Sequence, residues 1–307
     1  VSLVAPFVRT REASPARAFC GVRPMALICA ACCSKDGDLH ETKDTALVDA
    51  VVLEGGGAVS SRAVGPRIVQ DSELEDRPEQ EVEDGVWYEG QWKGTQCHGV
   101  GKLRRRDGSH FEGSFVAGRA HGHGWFKATN GNVYEGEWQQ DRAHGHGRYI
   151  HEDGSTYEGG WEQDEKAGRG VELWADGSKY AGEFLQGSKH GDGEYYTSAG
   201  NLVYKGDFKH DKMDGEGTYY FSDGRVYVGK WEDGHMQGAG HMRWPDGSEY
   251  IGNYVKDLRQ GEGTLKWPDG RQYSGQWQRG KQEGAGVMTD ARGVQTQGTW
   301  RAGVPVP

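Results

Sequence analysis

The chain has 307 residues, a formal net charge of −10, a hydrophobic fraction of 35% and an aromatic fraction of 11%. Its mean hydropathy of −0.83 is too polar for a bundle of membrane-spanning helices. The many aromatic residues argue against a chain that is disordered throughout. The acidic balance argues against a general nucleic-acid binder, because such a protein needs a basic surface to neutralise phosphates.

The composition changes near residue 86. All 11 tryptophans and all 14 tyrosines lie at or after Trp87, whereas four of the five cysteines precede it. Residues 1–86 are therefore predicted to be a poorly ordered extension, and residues 87–307 to form the folded part. The Arg-rich, acid-poor stretch 1–24 is typical of a transit peptide; alternatively, the true start is Met25 and this stretch lies upstream of it.

The extension carries a cysteine cluster and an acidic linker. Cys29, Cys32 and Cys33 lie beside a short apolar run, which suits S-palmitoylation. The alternative is a tail with incidental cysteines, and a zinc site would need a second ligand pair that the sequence does not supply. Residues 71–84 (DSELEDRPEQEVED) are predicted to be a solvated, extended linker.

A repeat of 23 residues dominates the chain after Trp87. Each unit opens with aromatic-x-Gly-x-aromatic, continues with Gly-x-Gly about eleven residues later, and in most units ends with Asp-Gly or Asn-Gly. One interval, before Tyr204, is 24 residues long, and a degenerate tenth unit begins at Thr296. The opening aromatic residues of the nine full units are Tyr88, Phe111, Tyr134, Tyr157, Tyr180, Tyr204, Tyr227, Tyr250 and Tyr273.

These positions predict tandem β-hairpins. Asp-Gly between short aromatic-rich runs is a strong hairpin signal, since both residues tolerate positive φ. In YEGEW, period-two alternation places Tyr134, Gly136 and Trp138 on one face, and the glycine leaves a gap that a ring from the adjacent hairpin could fill. The predicted fold is all-β: an elongated, single-layer antiparallel sheet of about 18 short strands, with the VPVP tail as an end cap.

This pattern resembles the MORN repeat family over residues 88–303, with unit three (Tyr134 to Gly154) matching the family signature well. The resemblance implies an elongated antiparallel β-sheet array used for protein–protein and sometimes lipid contact, without catalysis. Such arrays occur in junctophilins, radial-spoke head proteins, apicomplexan cytoskeletal proteins and alsin. They also precede the catalytic domains of plant phosphatidylinositol phosphate kinases and some SET-domain methyltransferases.

Neither a metal site nor a cofactor site is predicted. The His-Gly-His-Gly runs suggest metal ligands, but His98, His121, His144 and His190 occupy one repeat position that holds Ala, Asp, Gln or Glu in other units. Equivalent positions lie about 10 Å apart, too far for two histidines to share one ion. A turn or hydrogen-bonding role is the favoured interpretation. The repeated acids lie in equivalent environments, so they do not form the unlike pair that acid–base catalysis needs.

Two surface features are the candidate contact sites. Trp125, Trp174, Trp244 and Trp267 lie outside the opening motif, on the second strands of their units, and are predicted to touch a protein partner, either an extended peptide or a helix. Arg104, Arg105 and Arg106 form a basic run that could meet an acidic partner or anionic lipid, although a solvated hairpin tip is favoured.

The sequence therefore predicts a non-enzymatic scaffold that binds a protein partner along an aromatic groove. One alternative is the regulatory MORN segment of a phosphatidylinositol phosphate kinase or SET-type methyltransferase whose catalytic domain is absent from this sequence. Another is direct phosphoinositide binding. The expected location is cytoplasmic, at a membrane or at a cytoskeletal or ciliary structure. Nucleic acid is not an expected partner, and the open sheet edges would permit a homodimer.

Overall fold

The computed structural model describes residues 73–307, and within this range the chain forms 21 β-strands and no helix. Every strand pairs antiparallel with the strands before and after it in sequence, so one open sheet is built in up-and-down order. The predicted all-β fold, a single antiparallel layer, is confirmed.

The strands have the following bounds: β1 (Glu75–Glu83), β2 (Val86–Lys93), β3 (Gln96–Arg105), β4 (His110–Val116), β5 (Arg119–Lys127), β6 (Val133–Gln139), β7 (Arg142–Ile150), β8 (Thr156–Glu162), β9 (Glu165–Leu173), β10 (Lys179–Leu185), β11 (Ser188–Tyr196), β12 (Leu202–Lys209), β13 (Lys212–Tyr220), β14 (Val226–Glu232), β15 (His235–Arg243), β16 (Glu249–Val255), β17 (Leu258–Lys266), β18 (Gln272–Gln278), β19 (Lys281–Thr289), β20 (Gln295–Arg301) and β21 (Val304–Val306). Each of the nine full repeats supplies one hairpin, from β2–β3 to β18–β19. The degenerate tenth repeat supplies the last pair, β20–β21.

Two kinds of turn alternate along the sheet. Inside each full hairpin a two-residue turn joins the strands, and in unit three both of its residues are left-handed, with φ of 50° at Gln140 and 68° at Asp141. This is the geometry of a type I′ turn. Between hairpins a longer connection contains the Asp-Gly pair, and there only the glycine is left-handed, with φ of 87° at Gly108.

The sequence interpretation of Asp-Gly was therefore wrong in one respect: its aspartate does not adopt positive φ. Instead the Asp107 carboxylate accepts hydrogen bonds from the backbone N–H (2.9 Å) and the hydroxyl (2.7 Å) of Ser109. These bonds hold the pKa of the Asp107 carboxyl below its usual value. The aspartate thus shapes the connection through its side chain, and the glycine through its backbone.

The paired glycines lie beneath the opening ring of their own unit. Gly136 pairs with Gly147, and the Tyr134 ring covers this pair so closely that a Cβ on either glycine would overlap with it or with the facing backbone. The Tyr134 hydroxyl donates to the carbonyl of Glu137, three residues further along the same strand, at 2.9 Å. The expectation that a ring from the adjacent hairpin fills the glycine gap was wrong, because the same strand's tyrosine occupies it.

A bulge follows each glycine pair and keeps the faces in register. In unit three the next pair after Gly136–Gly147 is Trp138–Ala143. The chain therefore advances by two residues on β6 and by four residues on β7 between these pairs. The extra residues include Gly145, which has φ of 62°. Because the excess is even, side chains on both sides of the bulge keep their face, and Tyr134 and Trp138 stay on the aromatic face. The side chains of the opposite face, here called the polar face, include Glu135 and Glu137.

The sheet begins earlier than predicted. Residues 75–83, expected to belong to a solvated, extended linker, form β1, which pairs with β2 through two register shifts. Arg77 places its guanidinium 5.0 Å from the Trp92 ring centre, and Val82 packs against the core. The segment is extended and mostly exposed, as predicted, but it is a strand of the sheet and not a linker, because the free edge of β2 offers it backbone partners.

Candidate partner-binding surface

The aromatic face is a closed core. The nine opening rings are each at most 1% exposed, and the second ring of each opening motif is at most 7% exposed. Each opening ring meets the second ring of its own unit and that of the next unit edge-on, as Tyr134 does with Trp138 (5.1 Å) and Trp161 (5.2 Å). Such contacts contribute about 0.5–1.5 kcal/mol each beyond burial. The expectation that a single layer leaves these rings partly uncovered was wrong.

Hydrogen bonds tie this core together across hairpins. The Trp161 indole N–H donates to the carbonyl of Gly147 in the preceding unit at 3.0 Å, and Trp138, Trp231 and Trp277 repeat this bond. Burial raises the pKa of the Tyr250 hydroxyl to about 12 and raises those of other opening tyrosines further. These phenols are neutral structural groups, and their burial leaves them no surface for a ligand.

Three of the four predicted contact tryptophans share one position. Trp174, Trp244 and Trp267 were predicted to lie on the second strands, but each comes directly after that strand and begins the connection to the next unit. The backbone N–H of each donates to the backbone carbonyl four residues further along. All three are half-buried on the aromatic face. Trp174 is further enclosed, since its ring lies 5.7 Å from Tyr195 and 5.0 Å from the Lys189 ammonium.

The fourth, Trp125, lies apart from the others. It is the strand neighbour of the buried Phe126, so it points to the polar face, where it packs on His110 at 5.0 Å. The structure therefore does not bring all four predicted tryptophans into one site.

One residue of this row was not predicted. Phe221 holds the same position in unit six and is half-buried, so Phe221, Trp244 and Trp267 stand in three consecutive hairpins. These three residues are here called the tryptophan stripe. Aligning the units by position rather than searching for tryptophan would have found Phe221. Pro245 and Pro268, which follow Trp244 and Trp267, are exposed beside the stripe.

The basic run is occupied by the chain's own acids. Arg104 stacks on Trp87 at 4.3 Å and pairs with Glu79 at 3.2 Å, and Arg106 pairs with Asp84 at 2.9 Å. Both acids belong to residues 71–84, the segment that the sequence predicts to be an extended linker. Arg104 and Arg106 therefore already pair with carboxylates, which lowers their capacity for another anion.

The polar face carries a shallow trough of about 1390 Å³ across β7 to β14. Its floor contains the small side chains Ala181 and Thr218, and cross-strand ion pairs such as Lys205–Glu194 (3.1 Å) lie within it. Because these charges neutralise one another, the trough shows no preference for a ligand of either sign.

A charged cluster interrupts the aromatic core in units four and five. Glu172 stands where other units place an apolar or aromatic residue, and it pairs with Lys166 at 2.5 Å and Lys189 at 3.3 Å. These side chains are only 12–16% exposed. Although burial opposes ionisation, the two ammonium groups hold the pKa of the Glu172 carboxyl below its usual value. The cluster is charge-paired internally, and Asp211 lies 3.6 Å from Lys189.

The repeated histidine position has a bonding role in several units. Its side chain accepts the N–H of the left-handed residue in the next hairpin's turn in three examples: His98 Nδ1 from Ala117 (3.3 Å), Gln237 from Lys256 (3.2 Å) and Glu283 from Ala302 (2.7 Å). The bond is not universal, because the buried His190 Nδ1 has no hydrogen-bond partner among residues 73–307. Any acceptor of suitable length serves, which explains the variety of residues. Among residues 73–307, no three His, Cys, Asp or Glu side chains are grouped to hold a metal ion.

Cys29, Cys32 and Cys33 lie outside the described residues, so the predicted lipidation site has no structural test here. Cys97 is not in a disulfide, and its thiol is buried in the core. Within residues 73–307 no helix is long and apolar enough to cross a bilayer.

The repeats match a known family throughout the array. The MORN repeat profile matches at residues 88–110, 111–133, 134–156, 157–179, 180–202, 204–224, 227–249, 250–270 and 273–295. The chain belongs to the MORN repeat family. The matched segments begin at the opening rings of the nine hairpins. No curated protein matches the chain.

Solved structures show only a distant likeness to this MORN array. The TCP10 domain of Danio rerio CPAP, in complex with a STIL peptide, is 16% identical and has a TM-score of 0.35, over 66% of this chain and 95% of that chain. The Drosophila melanogaster SAS-4 TCP domain, with a proline-rich motif of Ana2, is 12% identical, with a TM-score of 0.25, over 75% and 98% of the respective chains. Virginiamycin B lyase from Staphylococcus aureus is 10% identical, with a TM-score of 0.16, over 76% and 86%. At these scores no function is transferred.

Proposed function

We propose that this MORN array is a non-enzymatic scaffold that binds a protein partner through the connections of its hairpins. The observation that carries the proposal is the recurrence of a half-buried tryptophan at one position of the repeat. The tryptophans of the opening motifs are buried in the core, whereas Trp174, Trp244 and Trp267 are half-buried at equivalent connections on the aromatic face. Half-buried tryptophans on a rigid frame suit interface anchors, because they offer large contact area at low entropic cost.

This proposal refines the predicted aromatic groove. The opening rings pack against one another, so a partner reaches the aromatic face only along the edge where the hairpins connect. A repeat array also places similar groups in similar environments, whereas acid–base chemistry needs neighbouring groups whose pKa values differ. Holding a partner at a fixed distance from another site is a role that the uniform frame supports.

Direct phosphoinositide binding receives less support. A lipid headgroup needs unpaired cations, and Arg104 and Arg106 already pair with Glu79 and Asp84. A scaffold is compatible with several of the other predictions. These are a regulatory role beside a kinase or methyltransferase domain, membrane attachment through Cys29, Cys32 and Cys33, a cytoskeletal or ciliary location, and a homodimer. Each would need its own measurement.

The test is cross-linking of the full chain in a cell extract, followed by mass spectrometry of saturable partners. We expect partners that bind wild type and Trp125→Ala equally, and that are lost when Trp174, Trp244 and Trp267 are all changed to Ala. Vesicles with and without phosphoinositide provide the lipid comparison. Salt-sensitive binding to phosphoinositide vesicles, without any saturable protein partner, would contradict the scaffold proposal.

A further inference from the structure

The spacing of the tryptophan stripe matches the helical repeat of polyproline II. Successive hairpins advance by two strand spacings, so Phe221, Trp244 and Trp267 lie about 9.6 Å apart along the sheet. A polyproline II helix has three residues per turn and rises about 9.3 Å per turn. A peptide in this conformation lying along the stripe would therefore present one residue of each turn to each ring, without accumulating a large mismatch over three units.

We propose that the stripe binds a basic, proline-rich segment of the partner in the polyproline II conformation. This proposal rests on the proposed scaffold function and names the chemistry of its partner. Proline rings pack well on aromatic surfaces, and a preformed polyproline helix loses little conformational entropy on binding.

The hydrogen-bonding state of the tryptophans supports this ligand. Core tryptophans such as Trp161 donate their indole N–H to a glycine carbonyl of the preceding unit. The indole N–H groups of Trp244 and Trp267 have no partner among residues 73–307, and neither nitrogen is fully buried. A polyproline helix makes no internal hydrogen bonds, so its carbonyls can accept from these donors.

The connections that carry the stripe are also closely packed. Pro245 packs close to Gly224 of the preceding connection, so close that a Cβ on Gly224 would lie 2.9 Å from Pro245 Cγ. Arg225 and Arg271 lie over the Phe221 and Trp267 rings at 4.4 and 5.5 Å, and both are anchored by the aspartate of their own turn. The rings are thus held before a ligand arrives, which reduces the entropic cost of binding.

Charge specifies the basic character of the segment. Asp223 and Asp269 are paired with arginines, whereas Asp246, between Trp244 and Trp267, accepts only the Ser248 N–H at 2.8 Å and pairs with no cation of residues 73–307. A ligand arginine or lysine can therefore pair with Asp246. The net charge of −10 would also attract a basic segment from a distance and repel an acidic one.

The experiment uses the full chain and a fluorescent twelve-residue peptide of four Pro-Pro-Arg triplets, with anisotropy as the readout. Two comparison peptides separate the causes: Gly-Ser-Arg triplets keep the charge without the polyproline conformation, and Pro-Pro-Glu triplets keep the conformation with the opposite charge. We expect saturable binding of the Pro-Pro-Arg peptide and at least about tenfold weaker binding of each comparison peptide.

Variants locate the site. Trp244→Ala with Trp267→Ala should weaken binding of the Pro-Pro-Arg peptide at least about tenfold, whereas Trp125→Ala should leave it unchanged. The double variant Trp244→Phe/Trp267→Phe keeps an aromatic ring at both positions but removes both indole N–H donors, so it should weaken binding several-fold. It tests the site even if the double alanine variant does not fold. Asp246→Asn should weaken it, but Asp107→Asn, in a distant Asp-Gly-Ser connection, should not.

Equal binding of the Gly-Ser-Arg peptide would overturn the proposal, since charge alone would then explain the affinity. So would unchanged binding by the Phe and Asn variants of the stripe. If the cross-linking experiment captures a partner that survives loss of the stripe, this inference fails while the scaffold function stands. If no partner is captured at all, the scaffold function itself fails.

Discussion

A single methyl group should disrupt the glycine pair beneath each opening ring. At Gly147, a Cβ would overlap with the Tyr134 ring, which cannot move away because Trp138 and Trp161 hold it from both sides. We expect Gly147→Ala to lower the free energy of unfolding by roughly 1–3 kcal/mol, the usual effect of overpacking a core. Urea unfolding followed by tryptophan fluorescence would measure it.

Tyr134→Phe is the matched control, because unit two already carries Phe111 at this position and buries it equally well. It removes only the hydrogen bond to the Glu137 carbonyl and should cost about 0.5–1.5 kcal/mol. If Tyr134→Phe proves more harmful than Gly147→Ala, the close fit of ring and glycine is not what fixes the repeat.

Glu172 stabilises the fold by ion pairing, whereas most other units have an apolar or aromatic side chain at this position. Glu172→Gln would leave Lys166 and Lys189 without their shared carboxylate, and we expect a loss of about 3 kcal/mol at neutral pH. Since the two lysines lower the pKa of Glu172 in the folded state, the stabilisation is complete above the ordinary value of 4.5 and disappears as the pH falls through the folded-state pKa. Denaturant unfolding from about pH 7 to about pH 3 would follow this loss.

Glu79→Gln supplies the comparison for Glu172. It removes an ion pair with Arg104 whose side chains are about half exposed, so the expected change is below about 1 kcal/mol. A similar loss for both variants would mean that burial of the Lys166–Glu172–Lys189 cluster adds nothing.

The sequence predicted that the hairpins exist better than it predicted the geometry of their turns and the extent of the sheet. The 23-residue period specified each hairpin, because uniform spacing of rings and glycines admits only one repeated unit. The type I′ turns were missed, since pairs such as Gln140–Asp141 lack the Asn-Gly or Asp-Gly signature. They are fixed by tertiary contact instead: the Asp141 N–H donates to the Ala120 carbonyl (3.1 Å), and the Asp141 carboxylate accepts the Ala120 N–H (2.8 Å).

This contact can be tested at Asp141 itself. Asp141→Ala should cost about 1–2 kcal/mol from left-handed backbone strain alone, whereas Asp141→Asn keeps both the acceptor and the tolerance for positive φ. Burial raises the pKa of the Asp141 carboxyl above 3.8, although the Ala120 N–H opposes this shift. Stability from this group is therefore present below pH 3.8 and declines as the pH rises through the folded-state pKa.

Asp141→Asn does not titrate, so it should gain stability relative to wild type between about pH 3 and about pH 6. Thermal unfolding at several pH values would show the trend. The opposite trend would mean that the bond to Ala120 outweighs the burial of the charge.

Strand β1 was missed for a related reason. Its acids and Pro78 are typical of a solvated linker, and nothing within residues 75–83 shows that the edge of β2 is available for pairing. Trp174, Trp244 and Trp267 could be selected as candidate contact residues from the sequence because their position differs from that of the opening rings. Phe221 could have been found by aligning the units, because it lies 23 residues before Trp244, and the same alignment places Trp125 at a different position of the repeat.

For the whole molecule, stability should behave as a sum over hairpins and their interfaces. Each described strand pairs only with its sequence neighbours, and each turn is bonded to the preceding hairpin, as Gly187 N–H is to the Lys166 carbonyl. In such a one-dimensional array a unit can be removed without disturbing distant ones. The end strands differ from the rest, because β1 contains Pro78 and β21 contains Pro305, and proline limits further pairing at an edge.

Deletion of residues 134–156, one complete unit, should therefore leave a folded array that is shorter by about 9.6 Å. It joins Val133 to Tyr157 at an equivalent position, so the edge-on contact from Phe111 to the next tryptophan can re-form with Trp161. Deletion of residues 134–155 leaves one extra residue, which would place the following rings on the wrong face unless a bulge absorbs it. Such a bulge exists beside Tyr196 and Leu202, where the longer interval occurs. We thus expect the second deletion to fold with lower stability, as judged by small-angle scattering and urea unfolding. Equal stability of the two deletions, or collapse of the first, would contradict independent stacking of the units.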